Sequence, residues 1–440
     1  MPILNRAALS RAARWTPSSR IYYGWIVLAI GAMGTYAATG SAQVTLAGIQ
    51  TLMFEDTGWD RSTIAMGVSI GTWSAGLLTP VFGKIADTHG PRIVMPIAAL
   101  ITGICFFWIG GMSSVWYFYA AYIISRGFGN PALVGVVPRT VAVNFFQKRR
   151  NFVLGLVSMA RPCFGAINVQ LITLIAVWAS WRTAYRILGS YSILLSIPLL
   201  IFMRRKPEDI GLLPDGAASS SPSKSERSGR SYSSSLQMPL EKSWTAREAI
   251  RTSALWLVIA AEFLIILTSG TLGFQLVPYL KDSGISLTAA AAAWSLSSLL
   301  NAFSNPIWGF LSDSYPPRRL VLIALPVCLL VTSIFLIING GLAGFFCVIC
   351  WGASSGGLNV LGGMIIASYY GKDSFGTISG IMGPFQTFGL GIGPTLGALL
   401  FNATGGYRSL FIFALTSYLG ATLLFILARK PISPLEKQEF

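Results

Sequence analysis

"GKIADTHGPR", residues 83–92, and "GFLSDSYPPR", residues 309–318, are one loop written twice. Gly83 matches Gly309, Asp87 matches Asp313, Pro91 matches Pro317 and Arg92 matches Arg318, always 226 residues apart (83 to 309). The same offset carries "SWR" (180–182) onto "GYR" (406–408). Two landmarks at a single spacing predict two homologous halves running in the same direction.

Composition says where such halves reside. The 440 residues are 53% hydrophobic and 11% charged, with a mean hydropathy of +0.63. Soluble domains carry roughly 25% charged residues, so this is a membrane chain. Twelve apolar runs approach or exceed the ~20 residues that cross a hydrocarbon core. They fall at about 22–46, 64–86, 93–112, 117–143, 152–175, 184–203, 254–276, 289–311, 319–338, 342–368, 376–400 and 408–428. The expected fold is an all-α membrane protein of 12 transmembrane helices in two homologous six-helix halves. Its parts are an N-terminal tail (1–21), a first half (22–203), a linker (204–253), a second half (254–428) and a C-terminal tail (429–440).

The net charge of +16 does not indicate nucleic acid as a partner. Of 32 Lys and Arg residues, 24 fall in the two tails and the loops leading from even to odd spans. Five lie in the opposite loops and three within spans. By the positive-inside rule this places both termini in the cytoplasm, with the protein in the plasma (cell inner) membrane. The Arg-rich, acid-free leader "MPILNRAALSRAARWTPSSR" reads as a cytoplasmic tail; an organelle transit peptide is the alternative.

Enzyme chemistry finds no foothold. The five cysteines all lie in apolar spans, the lone His89 sits in a short loop, and no nucleophile–base pair, cofactor motif or metal-ligand set is present. The linker centre, 216–235, is rich in Ser, Gly and basic residues and reads as disordered. "SWTAREAIR" (243–251) reads as a short helix capped by Ser243 or Thr245, with Glu248 in its first turn.

With these features together, the chain resembles the major facilitator superfamily. "GKIADTHGPR" is similar to that family's loop motif, and "SRGFGN" (125–130) to its fourth-span motif. "YYGWIVLAIG", "GWDRSTIAMGVSI", "NFFQKRRNFVLGL", "RRKPEDIGLLPDG" and "LVPYLKDSGIS" resemble the branch of monocarboxylate transporters and the oxalate:formate antiporter. The resemblance implies the major facilitator fold, alternating access and a substrate site at the midplane between the halves. The paired loops read as gating motifs (Gly83, Asp87, Gly90, Arg92; Gly309, Asp313, Arg318). Asp87 is expected at the N-terminus of the eleventh span near Gly376, and Asp313 at that of the fifth near Asn151. The alternative for both is a solvated loop charge.

Four ionisable groups other than Tyr and Cys lie clearly within spans: Arg126, Arg139, Arg161 and Glu262. Such a charge costs at least ~2.5–3.5 kcal/mol and is usually paired or faces a cavity. Arg139 is expected to snorkel to the interface. Arg126 binds substrate, takes part in proton coupling, or bonds to a neighbouring backbone. Arg161, followed by Pro162, either bonds carbonyls freed by a proline kink or holds a carboxylate through two parallel hydrogen bonds. Glu262 either neutralises an arginine or carries the coupling proton. Tyr36, Thr39 and Gln43 share a helical face and are expected to line the cavity with Asn301, Asn359 and Gln386. The first, eighth and eleventh spans contain no Lys, Arg, Asp or Glu, a departure from the branch, which places substrate-binding charges there. Asn301 and Asn305 stand nearest in the eighth.

The expectation is a monomeric carrier of a small organic anion, a mono- or dicarboxylate, moving with a proton or counter-substrate. The alternative is a proton-driven efflux carrier for an amphipathic or cationic compound, centred on Glu262.

Overall fold

The computed structural model describes residues 22–59, 61–216, 244–338 and 341–431. The N-terminal tail, nearly all of the linker centre and Ser243 lie outside the described residues, as do the last nine residues of the C-terminal tail.

All regular structure among the described residues is helical. The chain opens with α1 (Tyr23–Thr39) and α2 (Gln43–Thr57), then α3 (Arg61–His89), α4 (Pro91–Gly111) and α5 (Val115–Gly129). A π-helical turn, Asn130–Val134, joins α5 to α6 (Val136–Phe145); α7 (Arg150–Trp178) and α8 (Trp181–Phe202) follow. Beyond the linker come the short α9 (Ala246–Ile250), then α10 (Ser253–Asp282), α11 (Leu287–Ser314) and α12 (Pro317–Ile334). The remainder is α13 (Gly341–Ser355), α14 (Leu358–Tyr370), α15 (Phe375–Gly380), α16 (Met382–Thr404) and α17 (Arg408–Leu427).

Among the described residues, seven helices are long and apolar enough to cross a membrane, with α13 and α14 taken as one. Twelve such spans were expected, and five of the apolar runs differ for two physical reasons. Three are broken: α1 from α2 at Gly40–Ala42, α5 from α6 at the π-turn holding Pro131, and α15 from α16 at Ile381. The other two, α3 and α11, are 29 and 28 residues long but diluted by Ser, Thr, Gly and Asn.

A break inside a bilayer must satisfy its own backbone, because no water is there to do so. The α1–α2 break does this with four side chains. Asn168 Nδ2 donates to the Tyr36 carbonyl (2.7 Å), Ser41 Oγ to Ala38 (3.0 Å), Thr45 Oγ1 to Thr39 (2.8 Å) and Tyr122 Oη to Ser41 (2.9 Å).

Packing fixes the shape. At the basic end, one apolar core runs through both sets of helices, from Tyr23, Met95 and Phe145 to Leu255, Met364 and Phe425. At the other end there are two separate cores. One gathers Leu46, Phe106, Phe118 and Tyr185; the other gathers Leu272, Phe335, Trp351 and Phe411. The bundle is joined at one end and parted at the other.

Candidate functional site

The join is made by the repeated loops. Asp87 Oδ1 accepts the Gly376 amide (3.1 Å), and its Oδ2 accepts the amide (2.6 Å) and hydroxyl (2.7 Å) of Thr377 at the start of α15. Asp313 accepts the amides of Asn151 (2.9 Å) and Phe152 (3.2 Å) at the start of α7. Each carboxylate thus meets the unpaired first amides of a helix from the other set. A Cβ on Gly83 would collide with the Gly376 carbonyl, and one on Gly309 with that of Asn151. The glycines let the backbones touch. Gly90, at φ 79°, turns the chain from α3 into α4, a conformation suited to glycine.

The arginines of the two loops are placed alike. Arg92 Nε donates to the Leu200 carbonyl at the end of α8 (3.2 Å), and Arg318 donates to Phe425 (3.0 Å) and Ile426 (2.6 Å) at the end of α17. Both tether a loop to the last turn of a helix, where carbonyls lack partners.

A third tie was missed in the sequence. Residues 204–216, read there as the opening of a linker, form a strap across the basic end. Arg205 donates to the carbonyls of Asp87 and Thr88, and its own carbonyl accepts Asn144 Nδ2 (3.1 Å). Asp215 accepts the amides of Gln147 (2.9 Å) and Lys148 (2.6 Å). Lys206 reaches Asp373 (3.5 Å), and Glu208 reaches Lys372 (3.4 Å). The available signal was "KPED", whose charges find opposites in "GKD" (371–373). Beyond the strap, Thr245 caps α9 as expected. Its hydroxyl oxygen accepts the Glu248 amide (3.3 Å), while Glu248 Oε2 accepts the Thr245 amide (2.9 Å). Those donors hold the Glu248 carboxyl below its ordinary value.

The membrane-embedded charges gather in one region. Arg126 and Arg139 both act electrostatically on Arg161, and Arg139 acts on Glu262. Arg161 is exposed and makes no hydrogen bond or ion pair among the described residues. It lies two turns before Asn168, so it shares the face of α7 that meets α1. No carbonyl freed by Pro162 holds its guanidinium. Arg126 is buried on α5 and donates to Thr72 Oγ1 on α3 (3.4 Å), while its Nε is without a partner among the described residues. Arg139 does not snorkel. It is half-buried, its Nε is likewise unpartnered among the described residues, and the charge it faces is Glu262, on the other set of helices. Glu262 is 2% exposed, with Oε1 unpartnered among the described residues, and it lies against Gly362 of α14, where a side chain would collide with it.

The polar residues divide. Asn301 donates to Ser355 Oγ (3.1 Å) and accepts from Asn359 Nδ2 (3.3 Å), a small polar group between α11 and the α13–α14 pair. Gln386 is half-buried on α16, beside Thr387, which packs on Gly76 of α3. Tyr36 and Thr39 are engaged by neighbours on their own set of helices. The Tyr36 ring packs edge-on against Phe164 (5.9 Å) and Tyr191 (5.2 Å), and buried Thr39 accepts Asn168 Nδ2 (2.8 Å). The shared face expected for Tyr36, Thr39 and Gln43 is cut by the break at Gly40–Ala42. The Gln43 side chain lies outside the described ones.

Two sets of helices, latched at one end, parted at the other and holding charge between them, are the build of an alternating-access transporter, not an enzyme. Residues 24–389 match the model of the Major Facilitator Superfamily, and the chain belongs to that family. It is 24% identical to the "Uncharacterized MFS-type transporter YcxA" of Bacillus subtilis (strain 168), over 79% of this chain and 81% of that one. It is also 24% identical to a "Probable hexose phosphate transport protein" of Chlamydia pneumoniae, over 85% and 84%. With the oxalate:formate antiporter of Oxalobacter formigenes it shares 22% identity, over 90% and 86%. The transporter FucP, solved in the outward conformation, superposes with a TM-score of 0.68 at 10% identity, over 93% of this chain and all of that one.

Proposed function

We propose that this chain carries a small organic anion, a mono- or dicarboxylate, with Arg161 and Arg126 binding it and Glu262 carrying a coupled proton. One observation carries the reading. Arg126 and Arg139 each lie within electrostatic reach of Arg161 inside the membrane, and the one acid that acts on this group among the described residues is Glu262, opposite Arg139. A region with surplus positive charge, and one guanidinium free of protein partners, suits a carboxylate held by parallel hydrogen bonds. The relatedness to an oxalate:formate antiporter supports the same substrate class. Asp87 and Asp313 act as latches on the basic side, which charge asymmetry assigns to the cytoplasm. The protein works as a monomer in the plasma membrane, its latched form open to the outside.

The test is a thermal-shift screen of the purified protein against short mono- and dicarboxylates, comparing wild type with Arg161→Gln. A ligand of the folded state raises its midpoint by mass action. A carboxylate shift lost in the variant is expected. Stabilisation by organic cations alone, or equal shifts in both proteins, overturns the reading.

A further inference from the structure

A cavity opens on the first set of helices. It occupies about 320 Å³ between α1, α6 and α7, and its walls include Trp25, Leu28, Pro138, Leu156, Ala160 and Phe164. No charged side chain lines it. Its one hydroxyl, that of Thr35, already donates to the Leu133 carbonyl (2.8 Å). A polar or ionic cargo has nothing to hold there.

Its direction and depth point to the bilayer. Along α7 the lining residue Cys163 continues at helical spacing into Ile167, Leu171 and Leu174, which are 48%, 42% and 53% exposed. An exposed apolar stripe on a membrane helix faces lipid, so the cavity opens sideways. Along α1 the wall runs from Trp25 to Thr35, about 15 Å at the rise of a helix. That is half of a ~30 Å hydrocarbon core, the depth of one leaflet.

The rim supplies charge. Trp25 packs edge-on against Phe146 at 5.0 Å, and the next residues, Gln147, Lys148 and Arg149, are exposed. Asp215 fixes the backbone of this loop by accepting the Gln147 and Lys148 amides, leaving both basic side chains to face outward.

We infer that this cavity seats one acyl chain of an anionic glycerophospholipid from the leaflet at the basic end, its phosphate held at Lys148 and Arg149. Basic side chains at a membrane surface attract anionic headgroups, and the cavity gives the chain a place that bulk lipid does not. Arg161 is not part of the cavity wall, and the inference does not rest on what is transported.

Native mass spectrometry of the purified full-length chain, titrated with phosphatidylglycerol or with phosphatidylcholine of the same acyl chains, tests it. One phosphatidylglycerol should be retained in preference, by about fivefold for each basic side chain. Lys148→Gln with Arg149→Gln should erase the preference, and Ala160→Trp should abolish retention of both lipids. Equal retention of the two lipids by wild type, or retention unchanged in a folded Ala160→Trp, overturns the proposal. Should Ala160→Trp fail to fold, phosphatidylglycerol with brominated chains should quench wild-type tryptophan fluorescence more than that of Trp25→Phe. Identical quenching overturns it.

Discussion

Asp87 accepts the amide of Gly376 from one set of helices while Asp313, its repeat counterpart, accepts the amide of Asn151 from the other. The two bonds cross the same seam in opposite directions.

Removing either carboxylate should therefore open the same end. Hydrogen bonds to a charged group are worth ~1.5–3 kcal/mol, so Asp87→Ala should shift the closed-to-open ratio at that end by at least about tenfold. Gly83→Val should shift it the same way, because its side chain would enter the space of the Gly376 carbonyl. Spin labels on exposed Lys84 and Arg319, in a background without native cysteines, would report the distance across the seam. An unchanged distribution in both variants would show that the latch does not hold the closed form.

Arg139 and Glu262 should behave as a unit. Neutralising either residue leaves the other without the opposite charge that acts on it. Arg139→Gln and Glu262→Gln should each lower the thermal midpoint, and the double variant should fall by less than the sum. In proteoliposomes, Glu262→Gln should keep exchange of internal for external substrate and lose accumulation driven by a proton gradient. Additive melting effects would separate the two residues.

Asn168 should matter more than its distance from the arginines suggests. It bonds the Tyr36 carbonyl and Thr39 Oγ1 at the break in the first span. Asn168→Ala removes one of the two donors to that carbonyl, the Thr39 hydroxyl remaining at 2.7 Å. It also takes from Thr39 Oγ1 the amide that it accepts, a loss of ~0.5–1.5 kcal/mol for each bond. A drop in the thermal midpoint with substrate affinity retained is the expected pattern. An unchanged midpoint would mean that the Thr39 hydroxyl alone satisfies the carbonyl.

Glu248 predicts a pH dependence. Its carboxyl lies below the ordinary value because Thr245 donates to the ionised form. The cap therefore contributes stability above the ordinary glutamate range, and that contribution fades as pH falls through the lowered value. The midpoint difference between wild type and Glu248→Gln should be largest at neutral pH and vanish in acid. A constant difference would assign the effect to packing instead.

Much of this was legible in the residues because it was local. Apolar runs give helices, a 226-residue offset gives the two-part build, and an acid beside glycines gives a latch at a helix start. Other features depended on what stands opposite. Arg139 reads as a snorkelling residue until Glu262 is placed across from it. The break after Thr39 is invisible because it rests on Asn168 and Tyr122, both distant in sequence. The strap at 204–216 looked like linker because its partners lie on three other loops. The interruptions were not legible either, since hydropathy averages across a break without registering it.

The repeat also sorts the residues by how many copies exist. Gly83, Asp87 and Arg92 have doubles in Gly309, Asp313 and Arg318, whereas the same offset places Gly352 opposite Arg126, Thr387 opposite Arg161, and Tyr36 opposite Glu262. The latch residues come in pairs, and the residues proposed to meet cargo are single. After duplication, descendants of such a chain can change what they carry by altering one unpaired position, with the hinge inherited intact.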